Sequence, residues 1–147
     1  MKARKANLKD LNQLSDLFDR YRQFYQQAAD LKGAKEFISK RLENQQSVIF
    51  VVESDDKLLG FTQLFPSFSS VSMQRLWVLN DLFVAVAARQ QGVAQSLMEA
   101  AKHFAQETNS KGLTLETDLD NIAAQKLYDG LGYQRQADTY HYFLANE

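Results

Sequence analysis

The sequence predicts a mixed α/β domain in which helices cover a central sheet, and three observations carry that prediction. Apolar residues recur at three-and-four spacing in four separate stretches, as amphipathic helices require. Between them lie short β-branched or alternating runs of strand length, most plainly Val48-Ile49-Phe50-Val51-Val52. The second half then reads strand, helix, strand, helix, strand, the order of packed α/β layers.

The first helical stretch starts at Leu8 and carries Leu11, Leu14, Leu17, Phe18, Tyr21 and Tyr25 on one face, ending near Gln27. A shorter helix is expected from about Ala34 to Glu43, with Phe37, Ile38 and Leu42 inward. Val48 to Val52 reads as a central strand. Ser54-Asp55-Asp56-Lys57 is then a polar turn, and Leu58 to Leu64 returns as an antiparallel partner. Pro66, the single proline, reads as a breaker that opens a serine-rich loop, Ser67-Phe68-Ser69-Ser70. A long strand follows from about Arg75 to Val86. Val93, Leu97, Ala100, Ala101 and Phe104 mark a helix from about Gly92 to Thr108. Leu113, Leu115 and Thr117 alternate as a strand. Asn121 to Leu131 is a short helix with Gly132 in its C-terminal cap. A last strand is expected over Thr139 to Leu144, with Tyr140 and Tyr142 on one face and His141 and Phe143 on the other.

Composition narrows the function. The 147 residues suit one domain over 1–147, long enough to bury a core without covalent staples. The 17 basic residues against 18 acidic ones exclude a general polyanion binder, so no nucleic-acid partner is expected. There is no cysteine, which removes disulfides, thiolate nucleophiles and the usual structural zinc sites. With only two distant histidines, His103 and His141, no metal site is expected. The longest apolar run, Leu82 to Ala88, is far short of the ~20 residues that cross a bilayer. No apolar segment follows the basic N-terminus, so a secretory signal is not expected. The expectation is a soluble cytoplasmic domain with no membrane partner.

The chemistry-bearing stretch is Asp81-Leu82-Phe83-Val84 followed by Arg89-Gln90-Gln91-Gly92-Val93-Ala94. A buried strand runs into a tight turn, and the turn opens into an amphipathic helix. The first backbone N–H groups of a helix lack internal partners and, with the helix dipole, make an anion site. Gly92 and Ala94 would let a diphosphate approach the backbone, and Arg89 would add charge or shape the turn. The plainer alternative is an ordinary strand-to-helix connection. A lone glycine makes neither a Walker loop nor a dinucleotide fingerprint. Farther on, Asn121 and Tyr128 lie about two turns apart on one helix. Taken singly they read as an N-cap and a core aromatic. In a compact βαβα unit, helix N-termini of this kind stand where ligands collect, at the carboxyl ends of strands.

The pattern Leu82-Phe83-Val84, Arg89-x-x-Gly92-x-Ala94, Asn121 and Leu127-Tyr128-x-x-x-Gly132-Tyr133 resembles the GNAT superfamily of N-acetyltransferases over about Lys2 to Leu144. The resemblance implies a GNAT-like mixed, mostly antiparallel central sheet flanked by helices, with a splayed cofactor cleft. It implies acetyl-CoA as co-substrate, its diphosphate held by the backbone of Gln90, Gln91, Gly92, Val93, Ala94 and Gln95. The strand carrying Leu82, Phe83 and Val84 would pair with the pantetheine arm. Asn121 matches a coenzyme-contacting asparagine, and Tyr128 matches the tyrosine that protonates the leaving thiolate. A phenol with reference pKa near ~10 can make that donation. A backbone N–H around Phe83 or Val84 would steady the carbonyl oxygen as it gains charge. A homodimer is also implied.

One departure concerns the base. Related polyamine acetyltransferases carry a glutamate where this chain has Asn80, and an amide takes no proton. Asp81 is adjacent, but strand alternation turns it to the opposite face unless a bulge intervenes. Glu116 on the next strand is a second candidate, and the base stays unassigned. Substrate recognition is expected from Tyr21, Arg22, Phe24 and Tyr25 with Gln63, Phe65, Phe68 and Ser69, alongside Asn80 and Asp81. Those aromatics also suit the edge of a core. The expected reaction is acetyl transfer to the primary amine of a small metabolite, such as a polyamine or amino acid, by direct attack in a ternary complex. An acidic cleft around Asp81 and Glu116 would favour a polycation, and Arg22 facing it would favour a carboxylate. A protein lysine or N-terminal amine is the alternative acceptor, and a non-catalytic acyl-CoA sensor the alternative class.

Overall fold

The computed structural model describes residues 1–146. It divides into two compact units, one over Met1–Glu116 and one from Thr117 onward. The first holds a five-stranded sheet in the order β1 (Ala3–Lys5), β2 (Val48–Ser54), β3 (Lys57–Ser69), β4 (Gln74–Val84) and β5 (Leu113–Thr114). Every pairing is antiparallel except β4 with β5, which is parallel.

Two helices, α1 (Leu11–Phe24) and α2 (Leu31–Glu43), cover one face. Leu14, Leu17, Phe18, Ala34 and Ile38 from the helices meet Ile49, Val51, Phe61 and Phe83 from the strands in one buried cluster. Phe18 stacks on Phe37 at 5.4 Å and edges onto Phe61 at 6.2 Å. Helix α3 (Val93–Glu107) covers the other face, where its Phe104 packs against Phe50 and Trp77. The Trp77 indole N–H also donates to Thr108 just past the helix end, at 2.9 Å. This sheet sandwiched by helices matches the predicted fold class.

Several boundaries differ from the sequence-based expectation. Residues Leu8–Asp10 form a 3₁₀ turn rather than the start of the first helix. Asn7 caps that turn, and Asp10 accepts a bidentate pair from Arg4 at 2.9 and 2.8 Å. Arg4 holds the Asp10 carboxyl below its usual range, and β1 is fixed against β2 through the same side chain. β1 itself was not expected. The second helix begins at Leu31, because Asp30 accepts from the Gly33 N–H and caps it.

Pro66 does not break the chain. β3 continues through it to Ser69, so the serine-rich stretch is strand and not loop. The β2 ladder stops at Leu64, which leaves Pro66 with a neighbour on the β4 side alone. A missing N–H is tolerated at such an edge. β4 ends at Val84 and a 3₁₀ turn, Val86–Ala88, replaces the expected last strand residues. β5 is two residues long instead of five.

The second unit contains α4 (Ile122–Gly130), capped by the Asn121 side chain on the Ala124 N–H at 3.2 Å. Gly132, with φ 91°, closes it: the Gly132 N–H reaches Asp129 O and the Tyr133 N–H reaches Tyr128 O, a Schellman arrangement. The strand expected over Thr139–Leu144 is not formed among the described residues. A strand exists through its ladder, and this unit has no second strand to supply one. Both faces of the stretch also carry an aromatic residue, so its alternation selects no buried side. Among the described residues no helix is long and apolar enough to cross a membrane.

Candidate active site

The first unit builds two features that meet along β4. The earlier one in the chain is a register slip. Gln63 pairs with Asp81 and Leu64 with Leu79, so Asn80 is an extra residue on β4. A bulge of this kind reverses the facing of everything beyond it. Trp77 and Leu79 face α3, whereas Asp81 and Phe83 face α1 and α2. The condition under which Asp81 could reach the cleft is therefore met.

Asp81 sits at the buried end of a cavity of about 430 Å³, only 3% exposed. Phe18, Tyr21, Phe37 and Phe65 supply apolar walls, Gln63 and Asn80 share the buried end, and Arg22 and Asp30 complete the lining. Asn80 Nδ2 donates to Asp81 Oδ1 at 2.7 Å, and Gln63 Nε2 donates to Oδ2. Burial pushes the Asp81 carboxyl above the ordinary carboxylate range, against the opposing pull of hydrogen bonds from Asn80, Gln63 and Tyr21. Tyr21 is held over the site by its hydroxyl, which donates to Asn80 O at 3.2 Å, and by edge contacts with Phe61 and Phe83.

Charge in this cavity is biased. Arg22 lines it, but its guanidinium donates to Asp19 at 2.7 Å and to Ala28 O at 3.1 Å. Asp19 is buried and also accepts from the Asp30 N–H, tying the end of α1 to the start of α2. The positive charge is thus matched locally, and Asp81 and Asp30 remain as the carboxylates of the lining. Glu116, exposed after β5, is not part of it. Tyr25 lies one turn on, edge-on to Tyr21 at 5.2 Å and outside the cavity. Phe68 is 69% exposed near the β3–β4 turn, beneath Arg75, and is outside it as well. Phe18, Phe37 and Asp30 were not singled out in the sequence. The first two read as core positions, and Asp30 lies ahead of the start expected for the second helix, so its role as the cap came with the structure.

The second feature is the turn after β4. Gln90 (φ 62°) and Gly92 (φ 83°) both adopt left-handed backbone, and Gly92 opens α3 without any side-chain cap. Successive backbone N–H groups in such a turn make a concavity for anions. The first turn of α3 holds no acidic residue, and Gln90, Gln91, Gly92 and Gln95 are exposed around it. Buried Val93, Leu97 and Met98 anchor the helix below. Arg89 turns back instead of outward: its Nε donates to Val84 O at 3.1 Å and its guanidinium stands over Phe83. The β4–β5 ladder ends at Val78, so the β4 edge through Leu82, Phe83 and Val84 has no strand on that side.

A family model described as the acetyltransferase (GNAT) family matches residues 11–133. The chain belongs to the GNAT acetyltransferase family. GNAT enzymes use acetyl-CoA, and N-acetyl transfer is the activity of this one. An uncharacterized N-acetyltransferase, YhfO, of Bacillus subtilis (strain 168) is 46% identical over 144 residues, 98% of this chain and 97% of its own length. A crystal structure of a probable acetyltransferase superposes with a TM-score of 0.94 at 40% identity, covering 100% of this chain and 99% of the other. At 19% identity, where likeness speaks for the GNAT fold alone, an aminoglycoside N-acetyltransferase solved in complex with CoA gives a TM-score of 0.81 over 97% of this chain and 93% of its own.

In the second unit Asn121 spends its side-chain oxygen on the α4 cap. Tyr128 lies on α4 with its ring 5.9 Å from that of Tyr133. Burial, with Tyr128 nearby, pushes the Tyr133 phenol up to about 12, so Tyr133 stays protonated.

Proposed function

We propose that this GNAT enzyme acetylates the primary amine of a small cationic metabolite by direct attack in a ternary complex. The observation that carries the reading is the buried Asp81 at the end of an aromatic cavity whose one arginine is already paired. Aromatic faces and an uncompensated carboxylate favour an ammonium group over a carboxylate-bearing substrate. A polyamine-like acceptor fits this lining better than an amino acid does.

The residues present also fit acetyl-CoA. A left-handed, uncapped and exposed turn at a helix N-terminus suits a diphosphate, and the backbone of Gln90 to Gln95 would hold it. The β4 edge at Leu82–Val84 lies beyond the β5 ladder and would give an extended arm a strand to pair with. The coenzyme supplies an acetyl thioester whose carbonyl carbon accepts the amine.

Asp81 first binds the acceptor as its ammonium and then takes the proton that frees the nitrogen lone pair. An alkyl ammonium has a pKa near ~10.4, so it arrives protonated at neutral pH. The raised carboxyl lies nearer to that value than an ordinary one and is the better acceptor for it. The amine nitrogen then bonds to the carbonyl carbon. A backbone N–H of Phe83 or Val84 steadies the oxygen as charge collects on it. On collapse the carbon–sulfur bond breaks, Tyr128 gives its proton to the departing thiolate, and the second proton that the nitrogen sheds in becoming an amide returns to the Tyr128 phenolate.

Calorimetric titration with acetyl-CoA, followed by thiol release across an amine panel, tests the whole reading. Binding with release on diamines and polyamines is expected. Binding without release on any amine would overturn the reaction, and release on amino acids alone would overturn the acceptor class. Gly92→Val separates the coenzyme half. No atom lies within 4 Å of a Cβ built there, but φ of 83° strains a β-branched side chain by roughly 1–3 kcal/mol. The turn should rearrange and acetyl-CoA affinity should fall, with far-ultraviolet dichroism unchanged. Unaltered affinity would move the diphosphate elsewhere.

A further inference from the structure

From Asp81 a short polar chain runs through Gln63, which shares the buried end of the cavity, to Ser47. Gln63 is fully buried and Ser47, just before β2, is 9% exposed. The Ser47 hydroxyl donates to Gln63 Oε1 at 2.7 Å, and Gln63 Nε2 donates to Asp81 Oδ2.

We propose that Ser47 is a positioning residue for the acceptor-side carboxylate, acting through the amide of Gln63. A primary amide has two faces, one that donates and one that accepts. Ionised Asp81 requires the donating face, which leaves Oε1 pointing into the protein. There it is buried, and a buried acceptor without a donor is costly. Ser47 supplies that donor. Without it, Oε1 is satisfied only if the amide turns over and accepts a proton from a neutral Asp81. The serine therefore favours the ionised carboxyl, the form that can take a proton from the acceptor. Buried polar chains of this kind stabilise as a unit, so the effect of the far member reaches the near one.

The inference rests on Asp81 being the proton acceptor, and the other ionisable groups around the cavity are Tyr21, Arg22 with its partner Asp19, and Asp30. None of them bonds to Ser47. The readout is the pH profile of kcat/KM for the best amine at saturating acetyl-CoA, whose acid limb reports the base in the enzyme–acetyl-CoA complex that the amine meets. Ser47→Ala should move that limb to higher pH, with activity on the limb falling about tenfold for each unit moved. Ser47→Thr keeps the hydroxyl and should restore the wild-type limb. Gln63→Leu removes the same donor by a second route and should shift the limb the same way, which covers the case in which Ser47→Ala does not fold. If Asp81→Asn abolishes the limb while Ser47→Ala leaves it in place, the role of Ser47 is overturned and that of Asp81 stands. A limb unchanged in Asp81→Asn overturns both.

Discussion

Asp81→Asn should lower kcat/KM for the acceptor amine by about 10²-fold or more, the scale of one general base, with acetyl-CoA affinity unchanged. The same variant should lose the acid limb of its pH profile. The sign follows from burial. Because the folded state holds the Asp81 carboxyl above its ordinary value of 3.8, the proton leaves later in the folded enzyme, and activity rises with pH through that raised value. Stability runs the opposite way. The contribution of this group is full below 3.8 and is lost as pH climbs through the raised value, since the ionised form is the one burial penalises. Removing the charge at neutral pH therefore does not remove a support of the fold. A melting temperature at or above that of the wild type, beside a large loss of turnover, would identify the effect as chemical. Full activity in the variant would leave the ammonium to lose its proton directly to water.

Tyr128→Phe should reduce turnover by about 10²-fold or more, again with coenzyme affinity intact. The phenol contributes only when the carbon–sulfur bond breaks, so its loss belongs in kcat and not in the ground-state binding of either substrate. A leaving group of lower pKa needs less help. The deficit should therefore shrink with an acetyl donor whose thiol is more acidic than that of CoA, measured by thiol release under single-turnover conditions. Equal deficits with both donors would assign the proton to another source.

The layers of the fold were legible because they rest on side-chain periodicity. Leu14, Leu17 and Phe18 recur as a helix face, and Val48 to Val52 is too short and too β-branched for anything but a strand. The turn before α3 was legible for a different reason: a glycine directly before an amphipathic helix carries its backbone requirement in its own identity, and φ of 83° at Gly92 is that requirement. What could not be read depends on pairing. Ala3-Arg4-Lys5 looks like a charged tail until β2 lies beside it. Pro66 looks like a stop until the ladder on its other side is seen to have ended. Thr139–Leu144 alternates like a strand, yet alternation does not create a neighbour. The position of Asp81 is the sharpest case. Nothing in Leu79-Asn80-Asp81 announces an extra residue, because a bulge is a relation between two strands and is written in neither alone.

The slip at Asn80 divides β4 into two stretches under separate constraint. Before it, Trp77 packs on Phe104 of α3, and Leu79 is buried two residues on. After it, Asp81 lines the cavity and the Phe83 ring meets that of Tyr21. In the proposed reading the later stretch serves both substrates, its Asp81 side chain the acceptor and its edge at Leu82–Val84 the coenzyme arm. A single added residue in one strand thus brings the choice of amine and the seat of the donor onto the same few positions, where a change made for one is felt by the other.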